Sequence, residues 1–150
     1  MITAENIFRN TMKYMLDKNA LTNDLMENIE RRDDLCITQD VLEESGLSDA
    51  EITKMKRSGV QILQIAKKHL EKLGVVMSAH GGNLKLINLF TGKGTADVVM
   101  IAYVLAEREI PGTLFTEEYT IVTNDKELIS VATIYVINCT PQIPDTKIVI

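Results

Sequence analysis

The stretch YTIVTNDKEL, Tyr119–Leu128, decides how the rest of the chain is read. Thr120 to Thr123 are β-prone and apolar enough to read as a buried strand. The strand stops at Asn124-Asp125, and Lys126–Val131 then carries the pattern of a helix. An Asp just past the C-terminal end of a buried parallel strand stands where open α/β sheets place their ligands. Asp is equally a common helix N-cap, so one such residue says little by itself. A second stretch, KYMLDKN at Lys13–Asn19, has the same grammar: a short apolar strand runs into Asp17 and a helix pattern follows. Two strands that each end in Asp can put two carboxylates on one rim of one sheet.

Outward from these two stretches the chain alternates strands and helices. Thr3–Met12 reads as a short helix ahead of the first strand, within an N-terminal extension of residues 1–12. Asn19–Arg31 has an apolar face of Leu21, Leu25, Met26 and Ile29 and reads as a helix. Leu35-Cys36-Ile37 is a second strand, Thr38 caps the helix after it, and Gly46 ends that helix. Ser48 to Glu51 form a capping box for a brief helix that stops near Ser58-Gly59. The spacing of Ile62, Leu63, Ile65, Ala66, Leu70 and Leu73 predicts the longest amphipathic helix over Val60–Leu73, and Val75–Ala79 reads as a strand or a buried segment. His80–Gly94 is loop-like, yet Leu84, Leu86, Ile87, Leu89 and Phe90 make it unusually apolar. Thr95 opens the helix ADVVMIAYVLAERE, Pro111-Gly112 breaks it, and Tyr135–Cys139 reads as the last strand. Ile148–Ile150 could still pack or pair. This alternation predicts one domain over residues 1–150: an α/β, three-layer α/β/α sandwich with a central parallel sheet of four or five strands.

The chain has 150 residues, 45% of them hydrophobic and 25% charged, which suffices for a full core. It contains no Trp, few aromatics and a net charge of −5, which argues against stacking platforms for nucleic acid and against binding by bulk positive charge. A nuclease whose metals supply local positive charge remains compatible with that balance. Cys36 and Cys139 lack metal-ligand spacing and read as buried free thiols. No apolar run is long enough to span a bilayer and the N-terminus has no signal-peptide core, so a soluble, cytoplasmic protein is expected.

Four carboxylates stand out by position: Asp17 and Asp125 at strand ends, Glu44 in the helix after the second strand, and Asp97 in the first turn of the helix opened by Thr95. Each has a bland reading. Asp97 suits the helix dipole, and Glu44 beside Glu43 suits solvent. Together they fall on the rim where strands end and helices begin. Carboxylates converging there repel one another unless a cation neutralises them, and hard oxygen donors favour Mg²⁺ or Mn²⁺.

The order LDKNAL (16–21), TQDVLEE (38–44), GTADVVMIAYVLAE (94–107) and IVTNDKEL (121–128) resembles a PIN domain, from Tyr14 to about Thr140. The resemblance implies an endoribonuclease that hydrolyses RNA phosphodiester bonds with Mg²⁺ or Mn²⁺. Asp17, Glu44, Asp97 and Asp125 would be the catalytic and metal-binding acids, with Asn19 and Thr123 at supporting polar positions. Many small members of the family are toxins of toxin–antitoxin pairs, which makes an antitoxin protein an expected partner. The chain departs from the family pattern at Lys18, in the long connection carrying Pro111–Glu118, and in the residues ahead of the first strand.

Two rival classes are a PIN-fold module that binds RNA or protein without cutting, and a phosphatase-like hydrolase. Retention of all four acids speaks against the first, and the absence of a second Asp beside Asp17 speaks against the second. The Gly92–Thr95 turn lacks the spacing of a phosphate loop. His69 reads as solvated and His80 as a loop residue, while the scattered Met residues read as core filler. The apolar surplus in Glu51–Lys56, the long helix after it and Leu84–Phe90 predicts burial against a second copy, a homodimer, or against a protein partner.

Overall fold

The structure, a computed structural model, describes residues 11–28, 33–80, 95–109 and 117–143. Five strands form one sheet: β1 (Thr11–Leu16), β2 (Leu35–Thr38), β3 (Gln61–Leu63), β4 (Glu117–Val122) and β5 (Asn138–Thr140). Their spatial order is β3-β2-β1-β4-β5 and every pairing is parallel. Helices α1 (Asn23–Asn28), α2 (Gln39–Glu44), α3 (Asp49–Arg57), α4 (Lys67–His80), α5 (Thr95–Arg108) and α6 (Lys126–Ile134) flank it as a three-layer α/β/α sandwich.

Parallel strands covered on both faces need continuous apolar runs rather than alternation. Met15, Leu16, Leu35, Cys36, Ile37, Ile121 and Val122 are each at most 1% exposed, in the three central strands. Against β2 and β4 lies α5, which also packs on α4. Its residues Val98, Met100, Ile101 and Val104 are buried along with Ala96, Ala102 and Ala106, so the helix is apolar almost all round, as a core helix must be. Each fully buried Ile or Met there contributes about 1.5–3 kcal/mol.

Local chemistry sets several boundaries as expected. The Thr38 hydroxyl accepts from the Val41 amide and caps α2, and Gly46 follows that helix at φ +70°, a conformation that favours glycine. Ser48 and Glu51 form both halves of the capping box on α3. Met15, Met26, Met55 and Met100 are in the core, and both cysteines are free thiols, Cys36 buried and Cys139 half-buried.

Other boundaries differ. The span Val60–Leu73 is not one helix: Gln61–Leu63 is β3, paired with Cys36–Thr38, and α4 begins only at Lys67. Three apolar residues carry too little periodicity to separate a short buried strand from a helix turn, and pairing with β2 decides the matter. Leu70, expected inside, is 57% exposed, and Val75–Ala79 is part of α4 rather than a strand. Asn19–Arg31 resolves into a 3₁₀ turn at Lys18–Ala20 followed by α1, with 29–31 outside the described residues. Thr11 and Met12 belong to β1 instead of a preceding helix, and the remainder of that expectation, 3–10, lies outside the described residues. The last strand is Asn138–Thr140 rather than Tyr135–Cys139, because Tyr135 caps α6 and Val136 turns the chain at φ 57°. The readings of 81–94, 110–116 and 148–150 also fall outside the described residues. Among those described, no helix is long and apolar enough to cross a membrane.

Candidate functional site

The chain builds outward from β1 through β2 to β3, then returns to the other side of β1 for β4 and β5. Neighbouring connections therefore diverge at the C-terminal ends of β1 and β4, and a crevice opens there. Asp17 is the first residue beyond β1, and Thr123 the first beyond β4.

The β1–β4 ladder and the β4–β5 ladder each continue one step past the strand ends. The Asp17 amide donates to the Val122 carbonyl at 3.0 Å, while the Thr123 amide donates to Thr140 at 2.9 Å. This fixes Asp17 beside Thr123. The Thr123 hydroxyl donates to Asp17 Oδ2 at 2.6 Å, and its oxygen accepts from the Asp125 amide at 3.0 Å. One hydroxyl thus orients a buried carboxylate on one strand and the backbone of the second acid on the next. Asp17 Oδ1 accepts from the Lys18 amide at 2.7 Å and caps the 3₁₀ turn. Asp125 Oδ1 accepts from the Glu127 and Leu128 amides and caps α6.

Both acids are helix caps, so a purely structural reading has to be weighed. What exceeds it is the environment of Asp17. Its carboxylate is 5% exposed, and among the described residues no cationic side chain pairs with it. Among the described residues each of its oxygens accepts a single hydrogen bond, and a carboxylate has lone pairs for more.

The other expected acids are placed differently. Glu44 is the last residue of α2 and is exposed, and Asp97 is half-buried in the first turn of α5. Their helices pack against each other, and α2 also packs against the 3₁₀ turn that follows Asp17. The elements that carry the acids therefore converge. Among the described residues, however, no three His, Cys, Asp or Glu side chains are grouped so as to hold a metal ion. Asn19, exposed in the 3₁₀ turn, faces a groove of about 460 Å³ that Asn124 also lines.

Mg²⁺ commonly keeps several waters and uses only one or two protein carboxylates together with substrate phosphate. A buried Asp17 tied through Thr123 to Asp125 suits that kind of site in its donor chemistry. The residues present fit such an ion without a preformed cage.

Asp40 lies on the same rim and was overlooked in the sequence. It is in the first turn of α2, half-buried, and burial followed by the nearby Glu43 charge pushes its carboxyl above the ordinary range. The signal that could have found it is its position, two residues past the end of β2, nearer the rim than Glu44.

His69 is not solvated: it is 4% exposed. Its Nδ1 accepts from the Ala66 amide at 2.8 Å, which places the ring proton on Nε2, donating to Glu107 at 3.0 Å. Lys68 pairs with the other Glu107 oxygen at 3.1 Å, and the Tyr103 ring stacks on the imidazole at 4.2 Å. Burial raises the Glu107 carboxyl, but the hydrogen bonds from His69 and Lys68 outweigh it and leave the group below its ordinary range. Burial and the Glu107 charge push the Tyr103 hydroxyl up. His80, expected in a loop, ends α4 and meets the Tyr135 hydroxyl at 2.8 Å. A cavity of about 340 Å³ beside Glu107 and Arg108 opens at the start of β4 and β5, the edge opposite the acids. Arg108 directs its guanidinium to the Tyr135 and Val136 carbonyls, so this end of the molecule is occupied by contacts that hold α4, α5 and α6 together. No protein-family model, no curated protein and no solved structure matches this chain.

Proposed function

We propose that the protein is a Mg²⁺- or Mn²⁺-dependent endoribonuclease of the PIN type. One observation carries the reading: a buried Asp17 carboxylate at the point where strand order reverses, held by Thr123 and linked through it to Asp125. In this reading Asp17 and Asp125 hold the cation, and Asp97 and Glu44 are the third and fourth acids. When bound, the cation polarises the phosphodiester and makes a water a better nucleophile. Thr123 aims the Asp17 carboxylate by donating to Oδ2, and the backbone amides on Asp125 Oδ1 fix that side chain's rotation.

The test is cleavage of a single-stranded oligoribonucleotide by purified protein with Mn²⁺ or Mg²⁺. EDTA should abolish it, and Asp17→Asn should lower the rate at least about a hundredfold, as expected when a group stabilising developing charge is lost. Undiminished cleavage by Asp17→Asn, or cleavage in EDTA, would remove Asp17 and the cation from the reaction.

A further inference from the structure

Each of the two strand-end acids is followed at once by a lysine, in Leu16-Asp17-Lys18 and in Asn124-Asp125-Lys126. Lys18 opens the 3₁₀ turn after β1, and Lys126 is the first residue of α6. The site itself ties their backbones together. The Lys18 amide donates to Asp17 Oδ1 at 2.7 Å, the Thr123 hydroxyl donates to Asp17 Oδ2, and its oxygen accepts from the Asp125 amide. Lys18 therefore stands on the β1 side of the crevice and Lys126 on the β4 side. Both are exposed, and a solvated lysine is the ordinary reading of either one. Two observations exceed it. Lys68 and Lys72, beside the opposite edge, pair with Glu107 and Glu109, whereas among the described residues neither Lys18 nor Lys126 pairs with a carboxylate. Lys126 also stands at the positive end of the α6 dipole, where an anion is favoured and a cation is disfavoured.

We propose that Lys18 and Lys126 form a clamp for the phosphodiester backbone of single-stranded RNA, one lysine on each side of the bond to be cut. The proposal rests on the nuclease reading above and deepens it. A net charge of −5 gives the chain no general attraction for a polyanion, so the positive charge that meets the strand has to be local. A divalent ion held at the acids would neutralise the phosphate it touches and leave the flanking phosphates unmet. An ammonium on a flexible four-carbon stem is a mobile point charge and can follow a phosphate without fixing its orientation. Contacts of this kind position a strand and carry no sequence information, so the clamp holds any base sequence equally. The phosphodiester group is common to RNA and DNA, and the assignment to RNA comes from the nuclease reading.

The experiment measures binding, separately from cleavage. Fluorescence anisotropy in EDTA follows a labelled oligouridylate on the intact protein over a series of salt concentrations. For single strands each phosphate contact contributes about 0.7 to the slope of log K against log salt. Lys18→Gln and Lys126→Gln should each weaken binding and flatten the slope by that amount, and the two together should flatten it by about 1.4. Both positions are exposed, so folding should survive, and thermal melts check it. Lys18→Arg combined with Lys126→Arg keeps both charges and should keep the parent's slope. Lys72→Gln removes the same charge beside the opposite edge and should leave the slope unchanged. No binding by the parent, an unchanged slope when Lys18→Gln and Lys126→Gln are combined, or an equal loss in Lys72→Gln overturns the clamp. A labelled oligodeoxythymidylate is measured alongside, and a loss confined to that strand overturns the assignment to RNA. The cleavage assay with Mn²⁺ is run in parallel. The expected slope losses without cleavage by the parent sustain the clamp and overturn the nuclease reading. Cleavage by the parent with no slope loss in the lysine variants does the reverse.

Discussion

Thr123 has one proton and spends it on Asp17, while its oxygen takes the Asp125 amide. Thr123→Val keeps the shape and removes both bonds, leaving a buried carboxylate oxygen and an amide each short of a partner. A loss of about 1–3 kcal/mol in urea melts is expected. Thr123→Ser keeps the hydroxyl and loses one methyl, about 0.8 kcal/mol. Equal effects from the two variants would show that the hydroxyl is not what holds the rim. Asp40 tests the rim's charge. Its carboxyl titrates above the ordinary range, so the folded state binds the proton more tightly than the unfolded chain does. Stability from this group therefore falls as pH rises from the unfolded value, about 3.9, through the folded one, and stays lost above it. Asp40→Asn should then be more stable than the parent at pH 7 and should converge with it near pH 3. A variant less stable than the parent at pH 7 would contradict the sign.

At the scale of elements, α4 and α5 are joined by His69 and Glu107. His69 is the third residue of α4 and its Nδ1 takes the Ala66 amide, the role a Glu or Gln usually plays in a capping box. Ala66 has no side-chain acceptor of its own, so the start of α4 depends on this ring. His69→Leu loses the cap and also a donor to Glu107, and about 2–3 kcal/mol of destabilisation is expected. His69→Gln can restore the cap and should cost less. Hydrogen exchange of the first turn of α4 separates the two effects: Leu should expose it and Gln should protect it. Glu107 adds a pH dependence of opposite sign to Asp40. Its folded value lies below the unfolded one, so its contribution is complete above the unfolded value of about 4.3 and is lost as pH falls through the folded value. Acid should therefore loosen the α4–α5 contact, and an acid limb unchanged by Glu107→Gln would contradict that assignment.

For the whole molecule, the question is whether the rim binds a cation as a unit. A ligand that binds only the folded state at a hundredfold excess over Kd adds about 2.7 kcal/mol, which raises Tm. Mn²⁺ should raise the Tm of the parent and do much less for Asp17→Asn. Asp97→Asn distinguishes two roles for Asp97. If it serves only the helix dipole, its loss costs about 0.3–1 kcal/mol and the response to Mn²⁺ is that of the parent. If it holds the cation, the response shrinks. An Asp17→Asn variant whose Tm rises with Mn²⁺ as the parent's does would sink the metal site.

Sequence by itself determined the strands that lie at the centre. Leu35–Thr38 and the core of β4 are unbroken apolar or β-branched runs, and burial on both faces leaves no other pattern for them. It also determined the caps, since Thr38 and the Ser48–Glu51 box act within one helical turn. Asp17 and Asp125 were legible because each directly follows such a strand or its short turn. The tertiary structure decided what depends on distant partners. β3 is a strand because β2 lies beside it, and its three residues carry no periodicity of their own. His69 is buried because Glu107 and Tyr103, more than thirty residues away, satisfy and cover it. The pairing of Asp17 with Thr123 came from the β1–β4 register, a contact between residues 106 apart that no local pattern encodes. Local signals act through the backbone within a turn or a strand. Register, burial of a polar ring and the meeting of Asp17 with Thr123 are set by packing, where residues distant in sequence become neighbours.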